Sequence, residues 1–196
     1  MKLILVRHGE TNENKALKLM GRSPGQLSEK GKEQARATGK FLVDAGINKV
    51  YSSPLARCLD TANAIDESLQ LGVTPDDLLI ERDFGKMTNT TATEIDFDVL
   101  DEPTEENKHL GVEPLSVVDE RQAAFLEKLL ATHGDETVLV VTHNNPLRSL
   151  LAILKGVTYH DILDTYRIHN CGITIVTLSS LQDVEFTVID DVSHLG

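Results

Sequence analysis

Two histidines stand directly after short apolar runs. His8 follows residues 3–6 and Arg7; His143 follows residues 137–142. A second arginine, Arg57, falls in the first turn of a segment with helical spacing, after Ser52-Ser53-Pro54. Two guanidiniums suit a phosphate group, through forked, charge-assisted hydrogen bonds. A neutral imidazole is a competent nucleophile toward phosphorus. A second imidazole, protonated, would stabilise the charge that develops on the transferring group. Such a site supplies its cations from protein and calls for no metal and no other cofactor. Each residue also has a plainer reading: His8 as a core histidine, Arg57 as a surface charge, His143 as a helix cap.

These residues meet only if the elements between them bring them together. Residues 3–6, 49–52, 78–81 and 137–142 read as strands, from short apolar or β-branched runs. Residues 29–45, 54–70, 116–132 and 146–155 read as helices. Ser28 is the expected N-cap of the first, with Gly46 beyond its end. Ser53 is expected to cap the second, with Pro54 at its first position. Ser116 and Asp119 have the spacing of a capping box for the third. Residues 173–178 and 184–189 are expected to form a closing hairpin. Strands alternating with helices imply a three-layer α/β/α fold with a mostly parallel central sheet and one antiparallel strand. Ligands bind such sheets at the carboxyl ends of the strands, which is where Arg7, His8 and His143 fall.

The motifs resemble those of the histidine phosphatase superfamily, in its phosphoglycerate-mutase-like branch. Leu5-Val6-Arg7-His8-Gly9-Glu10-Thr11 is similar to the family's nucleophile signature. Residues 51–62 (Tyr51-Ser52-Ser53-Pro54-Leu55-Ala56-Arg57-Cys58 and onward) resemble its second block. Ile80-Glu81-Arg82-Asp83-Phe84-Gly85 resembles the block carrying its proton donor, and Val141-Thr142-His143-Asn144-Asn145-Pro146 its second-histidine block. Asn170-Cys171-Gly172-Ile173-Thr174 resembles its late strand. The blocks come in the family's order and span nearly the whole chain. The resemblance implies that His8 becomes phosphohistidine, that Arg7, Arg57 and His143 grip the phosphoryl group, and that Glu81 protonates the leaving oxygen and then activates water. It places Asn14 and Gly21 at substrate-contacting positions; Asn144, whose side chain would point near the phosphate or out of the pocket, and Asn145 are further candidates for substrate binding. Glu81 could instead be a solvated strand end, and Asn14 and Asn145 simple turn residues. Two positions depart from the family. Asn144 stands where a glycine usually follows the second histidine, and Met87-Thr88-Asn89 where an aromatic, an acid and a glycine are common.

Charge bounds the function further. The 196 residues carry 19 Lys+Arg against 31 Asp+Glu, a formal net charge of −12. That balance argues against nucleic acid and against anionic membranes as partners, while leaving a small phosphorylated substrate open to a locally cationic pocket. Residues 83–120 hold two lysines against eleven acids, a segment charge of −9. Within one domain over 1–196, residues 83–114 are expected to be an acidic, lid-like insertion that repels substrates with a second anionic group. That favours a phosphatase for a small phosphomonoester over the alternatives, a phosphoglycerate mutase or a non-catalytic phosphate-binding relative. The two cysteines, Cys58 and Cys171, are too few for a disulfide framework. The apolar run near Met1 is too short for a signal peptide or a membrane span, so the expected location is cytoplasmic. Oligomeric state is not written in the sequence, and a homodimer stays open.

Overall fold

Residues 3–6 are apolar without alternation because both faces of their strand are covered. In the computed structural model, which describes residues 1–91, 93 and 100–196, Leu3 and Leu5 of β1 (Lys2–Arg7) pack on one side of the sheet, and Ile4 and Val6 on the other. The strands run in the order β3-β2-β4-β1-β5-β6, with β2 (Lys49–Ser52), β3 (Val73–Pro75), β4 (Thr137–Thr142), β5 (Ile173–Ser180) and β6 (Asp183–Asp191). β1, β2, β3 and β4 pair in parallel, and β5 is antiparallel to both β1 and β6. Helices α2 (Glu29–Leu42) and α3 (Ala56–Leu69) cover one face. Helices α4 (Leu115–Thr132), α5 (Asn144–Lys155) and α6 (Tyr159–Thr165) cover the other. A one-turn helix, α1 (Asn12–Lys15), follows β1. The expected three-layer arrangement with one antiparallel strand is the observed one.

Four local expectations are corrected. The third strand lies at Val73–Pro75, and the stretch read as a strand at 78–81 begins in a 3-10 turn, Asp77–Leu79. Leu79 is fully buried, so the run is apolar for the same reason as a strand, but its carbonyls are held by side chains. Gln122 donates to Leu78 O, Thr142 to Leu79 O, Arg121 to Ile80 O and Arg22 to Glu81 O. Ser53 does not cap α3, whose N-cap is Leu55 without a side-chain bond; its hydroxyl is taken by His143. The capping box at Ser116 and Asp119 is not formed, because the helix starts earlier, with Pro114 as its N-cap, and Ser116 lies inside its first turn; Asp119 accepts from Ser149 Oγ on α5 at 2.5 Å. Finally, α6 falls in residues 156–172, to which the sequence reading assigns no element; Thr158 and Asp161 form its capping box.

Ser28 does cap α2, accepting from Gly31 N–H at 3.1 Å. Here the chain after β1 crosses the start of α2 at backbone distance. A Cβ on Gly31 would lie 2.0 Å from Glu10 O, and one on Gly9 2.5 Å from Gly31 O. Two glycines therefore set how closely the His8 loop lies on α2.

Within 83–114, the described residues are tied inward at several points. The Arg82 guanidinium, 1% exposed, donates to Asp101 Oδ1 at 3.0 Å, Leu100 O at 2.6 Å and Glu113 O at 2.7 Å. Glu113 also pairs with Arg22 and Arg121. Of the eleven acids in residues 83–120, Glu94, Asp96 and Asp98 lie outside the described residues. Among the described residues, no helix is long and apolar enough to cross a membrane.

Candidate active site

The carboxyl ends of β1, β2 and β4 converge as expected, and the candidate residues meet there. A cavity of about 460 Å³ is lined by Arg7, His8, Asn14, Gly21, Arg57, Glu81, Asn144 and Asn145, among others. His143 lies just behind this lining, fully buried, its ring centroid 5.3 Å from that of His8.

β1 delivers Arg7 and His8. The His8 N–H donates to Thr142 O at 2.9 Å, locking the loop to the end of β4. Its Nδ1 lies 2.8 Å from Gly9 O. A carbonyl only accepts, so Nδ1 carries the hydrogen and Nε2 keeps a lone pair. Arg57 Nε–H points at that nitrogen from 3.3 Å and at His143 Nδ1 from 3.1 Å. His143 Nδ1 is therefore an acceptor, and its Nε2–H donates to Ser53 Oγ at 2.7 Å. Burial, then the Arg57 charge, holds both imidazoles well below the usual histidine range; each is neutral at pH 7. This differs from the protonated second imidazole expected from the sequence. A phosphoryl dianion among these groups would reverse the local field and favour a proton on His143.

The guanidinium of Arg57 is itself positioned by carbonyls: Nη1 donates to Ser23 O at 2.6 Å and Nη2 to Gly21 O at 2.8 Å. Gly21 thus acts through its backbone, at a φ of 50°. Arg7 Nη1 donates to Ile168 O at 2.6 Å, and its buried Nε has no protein acceptor among the described residues. A buried donor left unpaired costs about 1–3 kcal/mol, and an anion oxygen would satisfy it.

Glu81 enters from the side-chain-held loop after β3. Its Oε1 accepts from Arg82 N–H at 2.8 Å and from Asn145 Nδ2 at 3.1 Å. Burial raises its carboxyl above the ordinary 4.5, outweighing Arg57, these two donors and Arg7, which act the other way. Asn14 is both turn and wall. It completes a capping box with Thr11, and its Oδ1 also accepts from Asn170, which donates to His8 O at 2.8 Å. Asn144 needs no left-handed backbone; it is the first helical residue of α5 and lines the cavity. The Met87-Thr88-Asn89 stretch pairs with the loop carrying Met20 and Gly21, through Asn89 N–H to Leu19 O at 2.7 Å and Leu19 N–H to Thr90 O at 3.0 Å.

The model of the histidine phosphatase superfamily (branch 1) matches residues 3–187. The chain belongs to this superfamily. Among curated superfamily relatives, it is 36% identical over 202 residues to phosphoserine phosphatase 1 of Hydrogenobacter thermophilus, covering 100% of this chain and 95% of that protein. It is 31% identical over 207 residues to the probable phosphoglycerate mutase GpmB of Erwinia tasmaniensis, at the same coverage. Among solved structures, YhfR of Bacillus stearothermophilus superposes with a TM-score of 0.87 at 26% identity, over 100% of this chain and 99% of that one. As a superfamily member, the protein is an enzyme of the phosphatase type.

The cavity also includes residues that sequence reasoning did not single out: Lys18, Leu19, Arg82, Asp101, Tyr159, Leu163 and Asn170. Lys18 and Leu19 sit in an irregular loop without a period. For Tyr159 and Leu163, the spacing of Thr158 and Asp161 is the signal that could have marked their helix.

Proposed function

We propose that the protein hydrolyses a small phosphomonoester through a phosphohistidine on His8, without a metal. The observation that carries this reading is the pairing of His8 Nδ1 with Gly9 O, which leaves Nε2 unprotonated with the Arg57 Nε–H directed at it, in one cavity with a carboxyl that burial keeps toward its protonated form. His8 Nε2 attacks phosphorus, forming the N–P bond. The P–O bond to the alcohol breaks, and Glu81 gives its proton to the leaving oxygen. Water then attacks phosphorus and loses a proton to the Glu81 carboxylate. The N–P bond breaks with its electron pair returning to Nε2, and phosphate leaves. Arg7, Arg57 and His143 hold the equatorial oxygens, and Asn14, Asn144 and Asn145 border the substrate.

A hydrolase is favoured over a mutase by the state of the surrounding cations. Arg22, Arg82, Arg121 and Arg148 are all committed to protein acceptors. Among the described residues, Lys18 is the cavity-lining cation outside the phosphoryl cradle that has no ion pair. The alcohol portion meets Leu17, Leu19, Phe84 and Leu163 on the remaining wall. The acidic segment 83–114 acts as a lid that disfavours esters with extra negative charge. The two buried, unpaired cysteines support a cytoplasmic setting, and the net charge of −12 argues against nucleic acid.

The test is a panel of phosphate esters, including phosphoglycerate with and without its bisphosphate, assayed for release against transfer. Brief incubation with labelled ester should leave acid-labile phosphate on wild type and none on His8→Ala, whose turnover falls by several orders of magnitude. Equal turnover in the variant would sink the proposal. Activity lost with a chelator and restored by a divalent ion would favour metal hydrolysis instead.

A further inference from the structure

We infer that Tyr159, on α6 and outside every recognisable motif, is a positioning residue for the proton donor Glu81 and acts on it through Asn145. This rests on the phosphatase reading above. Tyr159 Oη donates to Asn145 Oδ1 at 2.6 Å. A hydroxyl can serve either end of an amide, whereas this carboxylate oxygen takes a donor, so the Nδ2 end faces Glu81 Oε1 at 3.1 Å and Oδ1 is left to the phenol. The Arg82 N–H donates to the same oxygen. With two donors on Oε1, the acidic hydrogen belongs on Oε2, which has no hydrogen-bond partner among the described residues. All three side chains border the same cavity.

A flipped amide would set Asn145 Oδ1 against Glu81 Oε1, acceptor against acceptor. The phenol, donating to Oδ1, anchors the amide where Nδ2 reaches Glu81, and burial favours its protonated form. The charged groups facing Glu81 are Arg57 and Arg7; those facing Tyr159 are Arg148, Glu81, Arg82 and Asp101. The next residue makes a second tie of the same kind. His160 Nε2 lies 3.2 Å from Asp101 Oδ2, and Asp101 Oδ1 pairs with Arg82. Consecutive residues at the start of α6 thus reach consecutive residues 81 and 82, each through one intermediary. Helix α6 is a strut that sets the rotamer of the acid.

Leaving groups separate this role from ordinary packing. p-Nitrophenolate departs with little protonation, whereas an alkoxide needs the acid. For Tyr159→Phe, kcat/KM should fall about tenfold or more for glycerol 2-phosphate and by less than about threefold for p-nitrophenyl phosphate. Asn145→Ala, which cuts the chain at its middle, should give the same ratio, and keeps the test open should Tyr159→Phe fail to fold. In a Glu81→Gln background, Tyr159→Phe should cost nothing more on the alkyl ester. Equal losses on both esters, or a loss that persists without Glu81, would overturn the role of Tyr159 alone. A wild type that hydrolyses neither ester would overturn the phosphatase reading, and this inference with it.

Discussion

His8, His143 and Glu81 are all kept near their uncharged forms by burial, but they influence stability with opposite sign. The two imidazoles stay neutral in the folded protein well below 6.5, whereas the unfolded chain protonates each near that value. The unfolded state then binds more protons, so stability falls as pH drops below about 6.5. Glu81 does the reverse. Its folded pKa is raised above 4.5, so the folded state holds a proton that the unfolded state has lost, and stability falls as pH rises through that window. Glu81→Gln is therefore expected to raise Tm by a few degrees at pH 7, with the gain shrinking as pH approaches 4.5, while hydrolysis of alkyl esters collapses. Thermal melts across pH 4–8 check this; a Tm gain that is flat with pH contradicts it. The same cradle should bind vanadate, which takes the five-coordinate shape of in-line attack. At 100 times its Kd, vanadate should add about 2.7 kcal/mol to wild-type stability. Arg57→Ala should lose most of that gain, because Arg57 contacts both imidazoles.

At the scale of elements, the site depends on how the loop after β1 rests on α2. Gly31→Ala drives a Cβ to 2.0 Å from Glu10 O, a backbone atom that cannot swing aside. The expected cost is about 2 kcal/mol or more, with activity reduced as the His8 loop shifts. Gly134→Ala, with nothing within 4 Å, should be nearly silent. Ser28→Ala removes the α2 cap and should cost about 1 kcal/mol, with a milder loss of activity. Urea titrations of the three variants rank them; a silent Gly31→Ala would mean that the crossing is not held at backbone distance.

Across the whole molecule, two kinds of acid can be told apart among the described residues of the 83–120 segment. Asp101 and Glu113 neutralise buried or half-buried arginines, and Asp101→Asn should cost about 3 kcal/mol because Arg82 loses the anion facing it. Among the described residues, the Glu105 carboxylate reaches Lys108, at the surface, and the Glu102 carboxylate reaches Ser116. Neutralising Glu102, Glu105 and Glu106 together should leave stability within about 0.5 kcal/mol. It should also improve kcat/KM for esters bearing a second anionic group relative to those without one, at low salt, and salt should erase the difference. An unchanged ratio would remove charge selection from the role of this segment.

The residues that carry chemistry were legible because their types are costly anywhere else. An arginine, a histidine and a glycine at the end of an apolar strand make a poor core and an unusual surface, so Arg7, His8, Arg57 and His143 stood out together with their order along the chain. The sheet was equally legible, since residues 3–6 and 137–142 lack alternation only if both faces are buried. The sequence by itself thus determined the parallel sheet, the convergence of its strand ends and the grouping of two arginines and two histidines there. Tertiary structure alone decided how protons are arranged. The loop at 78–81 resembles a strand in composition, yet it is held by Gln122, Thr142, Arg121 and Arg22, from three distant segments. Ser53 has the pattern of a cap, yet serves His143, 90 residues away. The spacing of Thr158 and Asp161 marks the helix of Tyr159 but not its role, because a single phenol hydrogen bond acquires meaning only from what lies across the cavity. Local periodicity reports burial; the partner of a buried polar group is set by packing between elements far apart in the chain.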